Sequence, residues 1–374
     1  MTKLLGAPEL YVQGPGIMDR LHDDSARFGA RVLVVADGQT IAMVKGQLAR
    51  IFKGTESTVS YEAFEGMCTE AEIDRLAKRV SSDACDVILG IGGGRALDSA
   101  RAVAAVHQLP LIAVPATAAS GAACGGTSVI TDKNGIFREM RQVGVPATAV
   151  VVDSSLIAQA PVRSLVAGMG NTVAGWLGAR AHRQSDAASL SGSKGTLSSY
   201  ALARLGYDTI LADGLRALVA AQNGMPTPAF EHVLEANIYC SGIAFDNSGI
   251  AAAHSIGNAL TLLPPARKQY SGELAAFGCV VQLILENAPR SEMDDVMNLF
   301  LSTGLPMTLD DLGLGNASRT SLEKVAAAAC DGFMAAMPFD VSADDVLGAI
   351  LAASVTGHLY QEEEGDGDHD HEGD

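Results

Sequence analysis

The chain has 374 residues, which at roughly 150 residues per domain corresponds to about two domains. Apolar residues make up 48% of it and charged residues 18%, a composition that supports a packed interior and excludes a disordered protein. The 43 acidic against 26 basic residues give a formal net charge of −17, which would repel polyphosphate, so we expect no nucleic-acid partner.

The amino terminus and the cysteines bear on where the protein works. The apolar stretch at residues 4–7 is too short for the core of a signal peptide, and no run of about 18 apolar residues occurs in the chain. The six cysteines lie far apart without a C-x-x-C pair, so we interpret them as reduced and mostly buried. We therefore expect a soluble, cytoplasmic protein that does not enter a membrane.

The first 160 residues alternate short apolar runs with stretches of helical spacing. The runs predict strands at residues 31–36, 58–64, 86–91 and 111–114, and the stretches between them predict helices at 40–52, 70–80 and 95–107. Strands without polar alternation, separated by helices, are typical of a parallel sheet covered on both faces. Two later runs, at residues 128–131 and 149–153, could form a peripheral hairpin or edge.

From Pro161 onward the pattern changes to helices. Pro161 suits the first turn of a helix, and residues 162–180 have apolar side chains at helical spacing. The remainder is rich in Ala and Leu, with breakers at residues 224–228, 264–265, 289 and 304–306. We predict an α/β dinucleotide-binding domain over residues 1–160 and an all-helical domain over 161–360, with the cleft between them as the default ligand site.

The last residues, 361–374, form a low-complexity acidic tail. Eight of the acidic residues lie within the final thirteen positions. We interpret this segment as a solvated, disordered tail. Its alternating His and Asp residues could bind a divalent ion weakly, which a comparison of metal content before and after deletion of the tail would test.

Three consecutive glycines, Gly92, Gly93 and Gly94, separate a predicted buried strand from a predicted helix. They would let a ligand approach the backbone, where amides at the helix start attract anionic oxygens. The dinucleotide fingerprint is imperfect, because Arg95 replaces the third glycine and no acid follows about 20 residues on. Asp37 ends an earlier strand instead, could bind a ribose diol and would repel a 2′-phosphate, which favours NAD over NADP. Tight packing is the structural alternative.

Several short segments along the chain form a set. They are GGGRALDSAR at 92–101, VP at 114–115, TSVI at 127–130, VVD at 151–153, APVR at 160–163, VAGMG at 166–170, IAAAH at 250–254, YSGE at 270–273 and AFG at 276–278. In this order, over about residues 1–360, they resemble the glycerol dehydrogenase branch of the iron-containing alcohol dehydrogenase superfamily, which has dehydroquinate synthase as a distant relative.

This resemblance implies a Rossmann-like NAD-binding domain, a helical domain and a catalytic metal in the cleft between them. It also implies hydride transfer between a nicotinamide and a carbinol or carbonyl carbon of a small molecule, in a homo-oligomer. The pyrophosphate would lie on the three glycines, the adenosine ribose near Asp37 and the nicotinamide near Asp98. The other cofactor-binding positions that it implies are Thr117, Ser120, Gly121 and Ser128.

The metal ligands are where the chain departs from the family. There, an acid follows Gly-Met-Gly and two later histidines complete the set, whereas this chain has Asn171, His254 and Ser271. A neutral amide and a hydroxyl are poor replacements for a carboxylate and an imidazole around Zn²⁺ or Fe²⁺, so we expect no tightly bound catalytic metal. Gly121 is a further departure, because glycerol dehydrogenases usually carry an acid there that holds the polyol.

Without a Lewis acid, a hydrogen-bond donor or a protonated histidine must stabilise a developing oxyanion. The candidates are His254 as acid/base with Asn171 and Ser271 as donors, supplemented by Tyr270 or Lys268. An iminium substrate is another solution, since its carbon is already electrophilic. Each candidate also has a structural interpretation: His254 as a core histidine, Asn171 as a brace between helices, Ser271 as a helix N-cap and Tyr270 as a wall residue.

The leading hypothesis is an NAD(H)-dependent oxidoreductase that acts on a small carbonyl or alcohol, or on a cyclic imine or amine, without the metal of the family. A metal-dependent glycerol or polyol dehydrogenase with unusual ligands is one alternative. A non-catalytic NAD-binding protein is another, since it would also keep the glycines and lose the chemistry. A lyase or cyclase like dehydroquinate synthase is disfavoured, because that chemistry also relies on a metal.

Overall fold

The computed structural model describes residues 2–144 and 146–367. Its strands are β1 (Leu10–Gly14), β2 (Arg31–Ala36), β3 (Thr58–Ala63), β4 (Val87–Gly92), β5 (Leu111–Pro115), β6 (Thr127–Thr131), β7 (Phe137–Gln142) and β8 (Ala149–Asp153). Six of them form one parallel sheet in the order β1-β8-β5-β4-β2-β3, and β6 and β7 form a separate antiparallel hairpin.

Fourteen α-helices lie within the described residues. They are α1 (Leu21–Ala26), α2 (Gly38–Ile51), α3 (Glu70–Asp83), α4 (Gly94–His107), α5 (Ser154–Ile157), α6 (Val162–Ser185), α7 (Leu197–Gln222), α8 (Pro228–Glu235), α9 (Ser241–Ser248), α10 (Ala252–Leu260), α11 (Ser271–Leu285), α12 (Arg290–Thr303), α13 (Arg319–Cys330) and α14 (Ala343–Gly367). Short 3-10 helices cover Ile17–Arg20, Gly121–Ala123, Pro264–Lys268 and Phe333–Ala336, and a π-helical turn covers Ala236–Cys240. In this part of the chain no helix is both long and apolar enough to cross a membrane.

The central strands are buried on both faces, which is why they lack polar alternation. Every residue of β4, β5 and β8 is buried. Successive side chains of a strand point to opposite faces, so Val32 and Val34 join one apolar cluster while Leu33 and Val35 join another. The second cluster continues from the sheet into α6, α10 and α11, so that one core joins the sheet to the carboxyl-terminal helices. The predicted fold class, a parallel sheet followed by helices, is therefore confirmed.

Two strand predictions need correction. β8 is not peripheral, because it pairs with β1 on one side and β5 on the other, inside the main sheet. β6 does form a hairpin, but with β7, which the sequence did not indicate. β1 was missed as well, because its sequence, LYVQG, mixes apolar and polar residues along a half-buried edge strand.

The disordered tail predicted for residues 361–374 is helical over its first seven residues. Helix α14 continues through Gly367, and its last turns contact the body of the protein: Tyr360 Oη donates to Asp294, and Gln361 Nε2 donates to Asp311 Oδ2 at 3.2 Å. Gln and Glu are good helix formers, so the acidic composition did not end the helix. The His and Asp alternation at residues 368–371, suggested as a weak cation site, lies outside the described residues.

Candidate active site

The glycine turn joins the end of β4 to the start of α4. Gly92 has a φ of +148°, and a Cβ atom there would lie 3.0 Å from the Cβ of Ala96, so a larger residue would be strained. Gly93 is the N-cap of α4 and supplies no side-chain hydrogen bond to the helix. The first amides of α4 are therefore available to an anionic ligand, as a pyrophosphate cradle requires.

Asp37 lies at the edge of this turn. Its carboxylate caps α2, accepting from the backbone amides of Gln39 and Thr40, both at 3.0 Å, and from Thr40 Oγ1 at 2.6 Å. Partial burial opposes its ionisation, but these hydrogen bonds outweigh it and hold the pKa of Asp37 below its ordinary value. A Cβ on Gly92 would lie 3.9 Å from Asp37 Oδ2. A fixed negative charge thus lies beside the turn, where the family resemblance implies the adenosine ribose.

The loop after β5 approaches the same turn. A Cβ on Gly93 would lie 3.5 Å from Thr117 Oγ1, and a Cβ on Gly94 would lie 3.0 Å from Ser120 Oγ. The carboxyl ends of neighbouring parallel strands meet at one edge of a sheet, which is where dinucleotides bind in this class of fold. The structure therefore brings together the turn, Asp37 and these two hydroxyl groups at the carboxyl edge of β2, β4 and β5.

Asp98 and Ser128 lie deeper in the protein. Asp98 Oδ1 accepts from Arg101 Nη1 at 2.8 Å, and its Oδ2 accepts from the amide of Val129 at 3.3 Å. Burial raises the pKa of Asp98 to about 6, although Arg101 opposes the shift. Ser128 is fully buried and donates to the carbonyl of Asp98 at 2.9 Å. The burial and hydrogen bond of Ser128 give no support to the cofactor contact expected of it, which stays a prediction. Both carboxylate oxygens of Asp98 have protein partners, on α4 and on β6.

Gly121 is a packing residue. It is buried, and a Cβ there would overlap the backbone of Gly242 in α9. The same holds in reverse, because a Cβ on Gly242 would overlap the carbonyl of Gly121. The cofactor contact expected of Gly121 stays a prediction, whereas an acidic side chain at position 121 would force the two segments apart.

Asn171 and Ser271 lie in direct contact. Asn171, on α6, is only 7% exposed, and its Nδ2 donates to the carbonyl of Ala119 at 2.9 Å and to Ser271 Oγ at 3.3 Å. Ser271 is exposed and is the first residue of α11, while Tyr270 takes the N-cap position. The interpretation of Ser271 as the N-cap is therefore wrong by one residue, and its hydroxyl is left to face Asn171.

Backbone contact between α6 and α11 holds this pair in place. A Cβ on Gly170 would overlap the carbonyl of Gly272, and a Cβ on Gly272 would overlap the carbonyl of Ala167. The same added Cβ on Gly272 would lie 2.9 Å from Asn171 Nδ2. Small residues allow the two helices to touch here, so Asn171 and Ser271 meet without an intervening side chain.

A second asparagine, Asn237, was not predicted from the sequence and holds the neighbouring carbonyl of the loop. Asn237 is fully buried in the π-helical turn, and its Nδ2 donates to the carbonyls of Ala118 at 3.2 Å and Leu165 at 3.0 Å. Its Oδ1 accepts from Thr172 Oγ1 at 2.9 Å. Consecutive carbonyls, those of Ala118 and Ala119, are thus fixed by helical asparagines. A polar residue within an apolar helical segment was the available sequence signal, but its backbone partners had none.

His254 lies on α10 and is 7% exposed. Its ring packs edge-on against Phe245, with 5.4 Å between ring centroids. Nδ1 is buried and has no hydrogen-bond partner among the described residues. Burial lowers the pKa of His254 to about 4, so the ring is neutral near pH 7. Within the same residues it makes no hydrogen bond to Asn171 or Ser271.

Tyr270 and Lys268 are placed differently from the other candidates. The guanidinium of Arg163 lies over the Tyr270 ring at 5.5 Å, and Arg163 also pairs with Glu273. The Tyr270 amide donates to that same Glu273 carboxylate at 2.7 Å. Lys268 is exposed on its 3-10 helix. In the described part of the chain, neither the Tyr270 hydroxyl nor the Lys268 ammonium forms a hydrogen bond with Asn171 or Ser271, so their supplementary role as donors stays a prediction.

The donor set does not suit the metal of the family. Within residues 2–144 and 146–367, no group of three or more His, Cys, Asp or Glu side chains is arranged to hold a metal ion. The three family positions offer one imidazole, one neutral amide oxygen and one hydroxyl, and no carboxylate. Zn²⁺ and Fe²⁺ favour thiolate, imidazole and carboxylate ligands, so these residues do not fit such an ion.

Comparison with known proteins places this geometry among dehydrogenases. The family profile described as iron-containing alcohol dehydrogenase matches residues 8–154. The chain is 38% identical to the glycerol dehydrogenase of Escherichia coli O6:H1 over 365 residues, covering 97% of this chain and 100% of the relative. The glycerol dehydrogenase structure from Schizosaccharomyces pombe has a TM-score of 0.93 and 30% identity, with coverage of 97% and 93%. The sulfoacetaldehyde reductase of Bifidobacterium kashiwanohense, solved with NAD⁺, has a TM-score of 0.76 at 17% identity over 95% and 99% of the two chains, a likeness of fold alone.

Proposed function

Because the chain belongs to the iron-containing alcohol dehydrogenase family and is an NAD-dependent oxidoreductase, we propose that it transfers a hydride between NAD(H) and a small molecule without the catalytic metal of that family. The substrate is a small carbonyl or alcohol, or a cyclic imine or amine. The observation that carries the proposal is the contrast between two neighbouring regions. The glycine turn keeps its cradle geometry, while Asn171, His254 and Ser271 lack the chemistry of a metal site.

The loop after β5 connects these two regions. Thr117 and Ser120 approach the glycine turn, while the carbonyl of Ala119, between them in sequence, accepts from Asn171. A dinucleotide held on the turn therefore lies against the same loop that positions Asn171. This connection supports the assignment of the Asn171–Ser271 pair to the substrate side of the cofactor.

NAD is the expected cofactor form. Asp37 is held ionised by three hydrogen bonds beside Gly92, where a ribose is expected to bind. A carboxylate accepts hydrogen bonds from a ribose diol and repels a 2′-phosphate. This charge supports NAD(H) over NADP(H).

Ser271 and His254 can supply the hydrogen-bond donor and the proton carrier that the reduction requires. Reduction of a carbonyl leaves negative charge on the substrate oxygen, which a donor has to stabilise. The Ser271 hydroxyl can act as that donor, because it accepts from Asn171 through a lone pair and keeps its own proton. The neutral imidazole of His254 can accept or pass on a proton but brings no fixed positive charge.

A panel assay tests the proposal. The purified protein is dialysed against a strong chelator, and NADH oxidation is then followed with small ketones, aldehydes and cyclic imines. We expect turnover of at least one class at an undiminished rate. Complete loss of activity that added Zn²⁺ or Fe²⁺ restores would reject the metal-free mechanism. Tight NADH binding without turnover of any compound would instead indicate a non-catalytic NAD-binding protein.

A second candidate function is a metal-dependent polyol dehydrogenase with unusual ligands. The 38% identity to a glycerol dehydrogenase over nearly the whole chain favours it. The donor set at Asn171 and Ser271 opposes it, as does the packing of Gly121 at the position of the polyol-binding acid. Glycerol oxidation that depends on about one bound metal per chain would establish this alternative.

A further inference from the structure

The orientation of the Asn171 amide is fixed by its surroundings. Ala119 presents a carbonyl oxygen, which can only accept, at 2.9 Å from Asn171 Nδ2. Rotating the amide by half a turn would place two acceptor oxygens against each other, so the nitrogen must face Ala119. Its second hydrogen is directed to Ser271 Oγ at 3.3 Å. Both hydrogens of the amide nitrogen therefore have protein acceptors, and Asn171 has no hydrogen left for a substrate.

The carbonyl oxygen of the same side chain is free. Asn171 Oδ1 has no hydrogen-bond partner in the described part of the chain, and it is not among the fully buried unpaired atoms there. It is therefore partly accessible, although Asn171 as a whole is buried. This finding reverses the role that the sequence suggested: Asn171 meets a ligand as an acceptor, not as a donor.

A hydrogen-bond acceptor at this place distinguishes between two kinds of substrate that a hydride can reduce, ketones and protonated imines. A ketone becomes an alkoxide as the hydride arrives, and a carbonyl oxygen beside it would repel the developing charge. A protonated imine carries an N–H and a positive charge, which the same oxygen attracts through a charge-assisted hydrogen bond. The arrangement thus favours the nitrogen substrate and disfavours its oxygen counterpart.

We propose that Asn171 Oδ1 binds the N–H of a cyclic iminium ion, and that the protein reduces such ions in preference to ketones of the same shape. The inference rests on the proposed function. Hydride leaves the nicotinamide of NADH and forms a new C–H bond at the iminium carbon. The π electrons of the C=N bond move to nitrogen, which gives a neutral secondary amine and NAD⁺. Charge balances on both sides, so neither an added proton nor a metal is required.

The test compares two matched substrates, 2-methyl-1-pyrroline and cyclopentanone, with NADH and wild-type protein. We expect kcat/KM for the imine to exceed that for the ketone by at least about tenfold. Asn171→Leu, which has a similar volume and no acceptor, should lower kcat/KM for the imine by about 10- to 100-fold. The same variant should lower the ketone rate by a smaller factor, because the ketone loses only the positioning of Ser271 by Asn171 and no contact with Oδ1.

Asn223→Leu is the matched control, because Asn223 Nδ2 also donates to a backbone carbonyl, that of Val219 at 2.7 Å, but at the exposed end of α7. It should leave both rates unchanged. NADH affinity, measured by fluorescence, reports whether each variant is folded. If Asn171→Leu does not fold, the wild-type ratio of the two rates still decides.

Three outcomes overturn the inference and separate it from the proposed function. Reduction of cyclopentanone as fast as the imine, or faster, contradicts the preference while leaving NAD-dependent hydride transfer intact. An equal loss of both rates in Asn171→Leu would show that the residue acts without regard to substrate charge. If the protein binds NADH but reduces neither compound, the inference is overturned. If it also reduces none of the ketones, aldehydes and cyclic imines of the panel assay, the proposed function is rejected as well.

Discussion

The side-chain nitrogen of Asn171 donates a hydrogen bond of 2.9 Å to the backbone carbonyl of Ala119. This contact joins helix α6 to the loop after β5, which approaches the glycine turn. An aspartate at position 171 would present an oxygen to that carbonyl, and such a contact is unfavourable unless the acid is protonated or moved by a cation. The asparagine is therefore the residue that suits this loop position without a metal.

Restoring the ligand types should create a cation site. In the double variant Asn171→Asp, Ser271→His, one carboxylate and two imidazoles would occupy the three family positions together with His254. Ser271 is exposed, so the larger imidazole can be accommodated. We expect about one Zn²⁺ per chain after zinc loading and dialysis, measured by elemental analysis, against a small fraction in the wild type. Zinc content equal in both proteins would contradict our interpretation of the donor set.

Gly92→Ala should damage the cofactor cradle. The φ of +148° and the 3.0 Å approach to Ala96 strain any side chain at this position. We expect a loss of about 1–3 kcal/mol in the free energy of unfolding. NADH affinity, measured by calorimetry, should also fall by about tenfold, because the turn that binds the pyrophosphate is displaced.

Gly46→Ala provides the control for that variant. Gly46 lies inside α2, and nothing is within 4 Å of a Cβ placed there. This change should stabilise the protein by about 0.5–1 kcal/mol and leave NADH affinity unchanged. If Gly92→Ala behaves like Gly46→Ala in both measurements, the glycine turn does not have the role assigned to it.

Asp37→Asn should relax the choice between NADH and NADPH. Asparagine keeps the N-cap hydrogen bonds of α2 but removes the negative charge beside Gly92. We expect the ratio of the two dissociation constants to shift toward NADPH by about tenfold. Asp74→Asn, an exposed acid on α3, should leave the ratio unchanged. No shift in the Asp37 variant would mean that the 2′-phosphate does not bind near this carboxylate.

Gly121→Asp should destabilise the protein instead of improving polyol binding. The family acid at this position would overlap the backbone of Gly242, so α9 and the loop after β5 would have to separate. We expect a loss of about 3 kcal/mol, measured by denaturant unfolding. Gly348→Asp, at an exposed position with open space around it, should stay within about 0.5 kcal/mol of the wild type. A stable Gly121→Asp variant that gains glycerol oxidation would contradict the packing role of Gly121.

The parts of the fold that the sequence predicted are those with a local cause. The residues of β2, β4 and β5 are mostly apolar because both faces of the sheet are covered, and β4 ends on Gly92 because its φ of +148° disfavours a side chain. The placement of β8 between β1 and β5 depends on pairing between distant segments. No local pattern specifies such pairing.

In the candidate site, too, some features could be predicted from the sequence, whereas contacts between distant segments could not. Asn171, His254 and Ser271 were predicted from the family resemblance, but the partner that orients Asn171 is a backbone carbonyl, which every residue has. The contacts of Ser128 and Gly121 with neighbouring backbone could not be inferred for the same reason. As a result, the sequence predicts positions for the site, whereas the hydrogen-bond partners of Asn171 required the structure.

Activity measured against metal content tests the central claim most directly. Preparations of the wild-type protein that range from chelator-treated to zinc-loaded are each assayed for NADH oxidation with the best substrate of the panel, and their metal content is determined by elemental analysis. If Asn171, His254 and Ser271 support hydride transfer without a metal, we expect the same specific activity at every metal content. Specific activity that rises in proportion to bound metal, and approaches zero in metal-free protein, would contradict the account.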